Sequence, residues 1–157
     1  NSCTEEERAT SDSLLINAYD NSILYTDWIL SSIIDVIDQP NIVSSFTFVS
    51  DHGEHINKEG AGHGGNCSPI KEEYHVPFIF WWSDEYETLH PQKTYNAKLH
   101  THSKINGDCI FYSICDMAAI QLDSLYSKTS WSIFSPTFEE HSRLILLPDG
   151  INTIAVD

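Results

Sequence analysis

The residues able to do chemistry in this chain are concentrated in Asp51-His52-Gly53-Glu54, with a further imidazole, His63, in the glycine-rich run Gly60-Ala61-Gly62-His63-Gly64-Gly65. A carboxylate oxygen beside an imidazole nitrogen suits zinc or a similar divalent ion, which takes nitrogen and oxygen ligands together. Gly53 lets the backbone turn away sharply without a Cβ clash. Glu54 either bonds loop amides or acts as an outer partner that orients His52. The competing reading is a strand that ends in an Asp turn with an ordinary surface histidine, and this stretch alone does not separate the two. The glycine-rich run is not a phosphate-binding P-loop, because no Gly-Lys-Ser/Thr follows it.

Other histidines and the cysteines are weaker candidates. His55 is near enough in sequence to touch metal or substrate, or to serve only the fold. His100 and His102 form an H-x-H that would face one side of a strand, but no third ligand lies near them in sequence. His75 reads as the residue leading into a strand. Cys3, Cys67, Cys109 and Cys115 show neither CxxC nor zinc-finger spacing. Cys109 and Cys115 fall on roughly opposite faces of one helix and should not bond each other.

The elements that must position these groups follow from pattern. Tyr19, Ile23, Thr26, Leu30, Ile33 and Ile37 repeat at alternating spacings of four and three, so a long helix capped by Ser11 or Asp12 and ended by Pro40 is expected. Phe46–Val49 is a strand apolar enough to be buried on both faces. In open α/β sheets the C-terminal end of such a strand carries the chemistry, which is where Asp51 and His52 lie. A second strand is expected over His75–Trp82, with Pro77 confined to its start or to an unpaired edge position. Residues 84–104 read as irregular. Asn106 or Asp108 caps a helix over Cys109–Ala119. An apolar run at Arg143–Leu147, a Pro148-Asp149-Gly150 turn and a run at Ile151–Val156 make a terminal hairpin. The expected class is α/β, a mostly parallel sheet flanked by helices.

Bulk properties limit the partners. The chain has 157 residues with 8 Lys and Arg against 23 Asp and Glu, a formal charge of −15. That surface repels nucleic acid and anionic lipid. The longest apolar run, Val76–Trp82, is too short to span a bilayer.

With helix, strand and loop in place, the sequence resembles a known family. Tyr19-Asp20-Asn21-Ser22-Ile23-Leu24-Tyr25-Thr26-Asp27, Val49-Ser50-Asp51-His52-Gly53-Glu54, His63-Gly64 and His75-Val76-Pro77 look like the corresponding motifs of the bacterial phosphoethanolamine transferases, in the alkaline phosphatase and sulfatase superfamily. The resemblance runs from Cys3 to Ile120. It implies the periplasmic catalytic domain of an inner-membrane enzyme that moves phosphoethanolamine from phosphatidylethanolamine onto lipid A, core sugars or a related glycolipid acceptor. It further implies zinc as cofactor, with Asp51 and His52 as ligands. His63 would contact the phosphoryl group or a second metal. The nucleophilic threonine and a glutamate ligand lie upstream in that family and match nothing here. Residues 1–157 would then be the C-terminal part of a sulfatase-like catalytic domain, without a catalytic nucleophile of its own. Such a chain should be inactive alone. Its exposed apolar strand edges would invite the missing N-terminal half of the domain or self-association. A sulfatase or phosphodiesterase with another upstream nucleophile, and a fold kept for binding only, are the alternatives. Cys3 falls near a family cysteine whose partner would also lie upstream.

Overall fold

The computed structural model of the chain describes residues 5–57, 60–63, 70–123, 128–147 and 149–156. Cys3, Cys67, Gly64 and Pro148 lie outside the described residues. The chain divides into two compact units, one of residues 1–40 and 48–81, the other of residues 41–47 and 82–157.

In the first unit, α1 spans Glu5–Ile37, longer than the stretch from Ser11 or Asp12 that its caps suggested. No proline or glycine interrupts those 33 residues, so nothing in the backbone stops the helix from extending toward the N-terminus. It ends where Pro40 forbids another turn. Gln39 Nε2 donates to the otherwise unpaired carbonyl of Val36 at 3.1 Å. Of the expected inner stripe, Tyr19, Thr26, Leu30 and Ile37 are half-buried, joined by Ile29 and Ile34. Ile23 and Ile33 face solvent instead, as do Leu24, Trp28 and Val36.

The strand β1 spans Ser45–Val49 and pairs with β4, Phe78–Trp82. Pro77 stands just ahead of β4, at the start where a residue without an N–H is tolerated, and its carbonyl accepts from Ser50 N at 3.4 Å. At the other end Ser83 N donates to Ser44 O at 3.0 Å. As residue number rises along one strand it falls along the other, so the pair is antiparallel. The remaining described pairs are antiparallel too. In one, β2 (His55–Asn57) joins β3 (Gly60–Gly62); in the other, β5 (Leu144–Leu146) joins β6 (Thr153–Ala155). The mostly parallel sheet is therefore not found among the described residues. Parallel neighbours need a crossover, usually a full helix. Among the described residues, the connection from β1 to β4 holds the β2–β3 hairpin and the four-residue helix α2, Lys71–Tyr74. β1 is half-buried rather than covered on both faces.

The second unit holds the core. Residues 84–104, expected to be irregular, form α3 (Asp84–Leu89) and α4 (Pro91–Leu99). The signals were capping rather than periodicity: the Ser83 hydroxyl accepts from Tyr86 N, and Pro91 occupies the first turn of α4. The helix α5 spans Asp108–Met117, and Asn106 Oδ1 accepts from Cys109 N at 3.3 Å, as a capping side chain does. Tyr86, Ala97, Cys109, Cys115, Met117, Ile133 and Phe134 are buried together with Ser83, Thr94, Asn96, Ser113, Ser132 and Ser135. So polar a core requires partners. Asn96 Nδ2 donates to Phe134 O, the Ser113 hydroxyl accepts from Ile133 N, and Ser132 donates to Asp116 Oδ2. Cys109 and Cys115 are free thiols, and burial pushes the Cys109 thiol above its ordinary range, away from reactive chemistry. The terminal hairpin forms as expected. Gly150 takes the left-handed φ of 68°, and Asp149 Oδ1 accepts from Ile151 N and Asn152 N.

Candidate metal and phosphoryl site

Three of the singled-out side chains meet in the first unit. His52, Glu54 and His63 each offer a ligand atom, and those atoms all lie within 4.8 Å of one another. The residues reach this point by two routes. His52 and Glu54 follow β1 directly. His63 follows β3, which the β2–β3 hairpin folds back so that His55 faces Gly62.

The turn itself is held by α2. Gly53 N donates to Glu73 O at 2.7 Å. A Cβ on Gly53 would stand 1.9 Å from the carbonyl oxygen of Glu72. Glycine is thus required here because two backbones touch, not because φ is positive.

Ring nitrogens follow from their partners. His52 Nδ1 lies 3.0 Å from Gly53 O, so Nδ1 carries the proton and Nε2 presents its lone pair. That Nε2 is 3.7 Å from Asp51 Oδ2. Two ligands about 2.0–2.1 Å from one tetrahedral zinc stand roughly 3.3 Å apart, so a shift of a few tenths of an ångström fits the Asp51–His52 pair to an ion. His63 Nδ1 lies 2.7 Å from Glu54 Oε1, and since a carboxylate only accepts, Nδ1 again carries the proton. Glu54 therefore orients His63; His52 takes its orienting contact from a backbone carbonyl. The His52 and His63 rings stack at 3.6 Å between centroids with 23° between planes. The site is open: Asp51 is 88% exposed, His63 49%, His52 39% and Glu54 30%.

His55 stands apart from this group, with Nδ1 2.7 Å from Glu73 Oε1. His100 and His102 do not form a metal pair. His100 closes α4 rather than sitting in a strand, and its Nδ1 lies 2.7 Å from Ile133 O. His75 closes α2, ahead of the strand it was expected to lead into. The pairing of Glu54 with His63 was not visible in the sequence, since only the hairpin register brings Gly62, and with it His63, back to the Asp51–Glu54 turn. No helix among the described residues is long and apolar enough to cross a membrane.

Comparison with known proteins agrees with these motifs. The family profile described as Sulfatase matches residues 1–118. The chain is 32% identical over 115 residues to the phosphoethanolamine transferase EptA of Helicobacter pylori, covering 72% of this chain and 20% of that one. It is 28% identical over 141 residues to the phosphoethanolamine transferase EptC of Escherichia coli, covering 88% and 24%. Over 87 residues it is 37% identical to the Kdo(2)-lipid A phosphoethanolamine 7''-transferase of Escherichia coli, covering 54% and 15%. The chain spans about a fifth of the length of these curated relatives. No solved structure matches it.

Proposed function

The chain belongs to the sulfatase family, and from that premise we propose that it supplies part of the metal and phosphoryl site of a phosphoethanolamine transferase. The whole protein would take the group from phosphatidylethanolamine and deliver it to a cell-surface glycolipid such as lipid A or its core sugars, from an inner-membrane anchor with the catalytic domain in the periplasm. One observation supports this reading above the others: His52, Glu54 and His63 converge within 4.8 Å, beside the Asp51 carboxylate, in the stretch shared with the transferases.

Asp51 Oδ2 and His52 Nε2 would hold a divalent ion, zinc being the natural choice for a nitrogen and oxygen donor set. Bound there, the ion lowers a hydroxyl's pKa and neutralises charge on phosphoryl oxygens. The chain's own residues do the rest. Gly53 O fixes the His52 tautomer so that Nε2 stays available. Glu54 fixes His63 through Nδ1; with a proton on both ring nitrogens, the same ring would present Nε2–H to a phosphoryl oxygen as a donor. The attacking threonine would come from elsewhere in the domain, so the Asp51–His63 group binds and orients rather than attacks.

The test uses the longer protein of which this chain forms part. Asp51→Ala and His52→Ala should each remove bound zinc, measured by atomic emission, and abolish release from a labelled phosphatidylethanolamine donor. Full zinc content in both variants would defeat the assignment.

A further inference from the structure

Glu73 holds the chain on both sides of Glu54. Its backbone oxygen takes Gly53 N at 2.7 Å, and its carboxylate takes His55 Nδ1 at 2.7 Å. These are the better shielded groups of the region, with His55 20% and Glu73 10% exposed. The His55 ring also reaches the opposite strand. His55 faces Gly62, and its Cε1 lies 3.6 Å from where a Cβ of Gly62 would stand, one residue before His63. One imidazole therefore bonds α2 on one side and lies beside the approach to His63 on the other.

We infer that His55 and Glu73 form a positioning pair, which aims Glu54 and sets His63 against His52 without touching metal or substrate themselves. This geometry sets His55 apart from the converging ligand atoms found among the described residues. Its Nδ1 is committed to Glu73, and it is absent from the group of converging ligand atoms. One residue, Glu73, thus ties this four-residue helix to the turn twice. α2 presents a backbone oxygen and a side-chain oxygen of one residue to positions 53 and 55. The pair rests on the reading of His52 and His63 as functional, but its geometric claim holds without metal.

The experiment follows the imidazole Cε1–H resonances of His52 and His63 in the metal-free 157-residue chain, where ring stacking displaces them from free histidine. A cobalt titration of the same samples follows. In His55→Ala and Glu73→Ala the two resonances should relax toward the unstacked position while Tyr86 and Met117 signals of the second unit stay in place. Cobalt affinity should fall by about 10- to 100-fold, the usual loss for an outer-shell partner. The double variant should lose no more than either single one, as expected for members of one unit. Glu73→Gln, which keeps the accepting oxygen, and His55→Asn, whose amide donates from the place of Nδ1, should restore stacking. Unmoved resonances in both folded alanine variants would overturn the pair, and so would independent, additive losses. Should an alanine variant fail to fold, the conservative variants decide: retained stacking supports the pair, and loss of stacking in a folded chain defeats it. A parent chain that binds cobalt too weakly to titrate accords with the weak metal binding expected of this chain alone; the resonances then judge the pair, and the zinc content of Asp51→Ala and His52→Ala judges the metal reading.

Discussion

Replacing Gly53 with alanine is the sharpest test of how the site is built. The added Cβ would lie 1.9 Å from Glu72 O and 3.0 Å from Glu72 C. Carbon–oxygen contacts settle at about 3.3–3.6 Å, so turn and helix must part by roughly 1.4 Å or more. Backbone supplies both sides of this contact, and no rotamer change relieves it. Separation on that scale also stretches the 2.7 Å bond from Gly53 N to Glu73 O beyond hydrogen-bonding reach. Overpacking of this kind costs about 1–3 kcal/mol and a lost hydrogen bond about 0.5–1.5 kcal/mol. The entropic gain from removing a glycine, at most about 1 kcal/mol, is too small to offset them. The first unit should therefore lose about 0.5–4 kcal/mol in Gly53→Ala. Amide hydrogen exchange at residues 52–56 reads the local loss, and zinc content of the longer protein reads its effect on the site. Parent-like protection together with parent-like zinc would refute the reasoning, because it would show that α2 does not confine the turn.

Further outcomes follow from other contacts. Burial, and then the nearby Asp116 charge, push the Tyr86 hydroxyl up to about 12, above its ordinary value. A raised folded-state value means that its contribution is complete below the unfolded pKa of about 10 and is lost as pH climbs toward 12. Denaturant midpoints of the second unit should fall across that window, and Tyr86→Phe should remove the slope while forfeiting the bond to Met117 O. Phe134→Ala, at a ring only 1% exposed, should destabilise the second unit by about 3–5 kcal/mol by calorimetry or denaturant titration. In the longer protein, His63→Ala should reduce turnover far more than zinc content; equal loss of both would make His63 a metal ligand. The 157-residue chain by itself should bind zinc weakly in calorimetry and release no phosphoethanolamine, and tight stoichiometric zinc with measurable transfer would contradict this.

Local signals made part of this molecule legible from sequence. β1, the placement of Pro77, the end of α1 and the terminal hairpin each depend on residues a few positions apart. α3 and α4 were missed because Tyr86 alone is buried on α3, while Thr94, Asn96 and Ala97 supply the buried face of α4 with little apolar periodicity, and only Ser83 and Pro91 mark their starts. The antiparallel pairing of β1 and β4 is a long-range choice that neither strand's composition specifies. The same holds at the site. Asp51 and His52 stand out by type and position. The contact of Glu54 with His63 instead needs a hairpin register, and the contact of His55 with Glu73 needs a helix eighteen residues away.

Among the described side chains, all of the buried ones lie in the second unit, and none of residues 13–40 or 48–81 is buried. A segment whose described side chains are at most half-buried opens at less energetic expense than a packed one, so its order is more sensitive to what it binds. Occupancy of the Asp51–His52 position would then act as a substitute interior, with coordination bonds in place of packed side chains. At a hundredfold excess of ion over its dissociation constant, the added stability is about 2.7 kcal/mol. On a unit this thinly packed, that shift is enough to change its lifetime against proteases. On the proposed metal reading, starvation for the ion would both silence the site and expose that half of the chain to degradation, tying the amount of protein to the supply of metal.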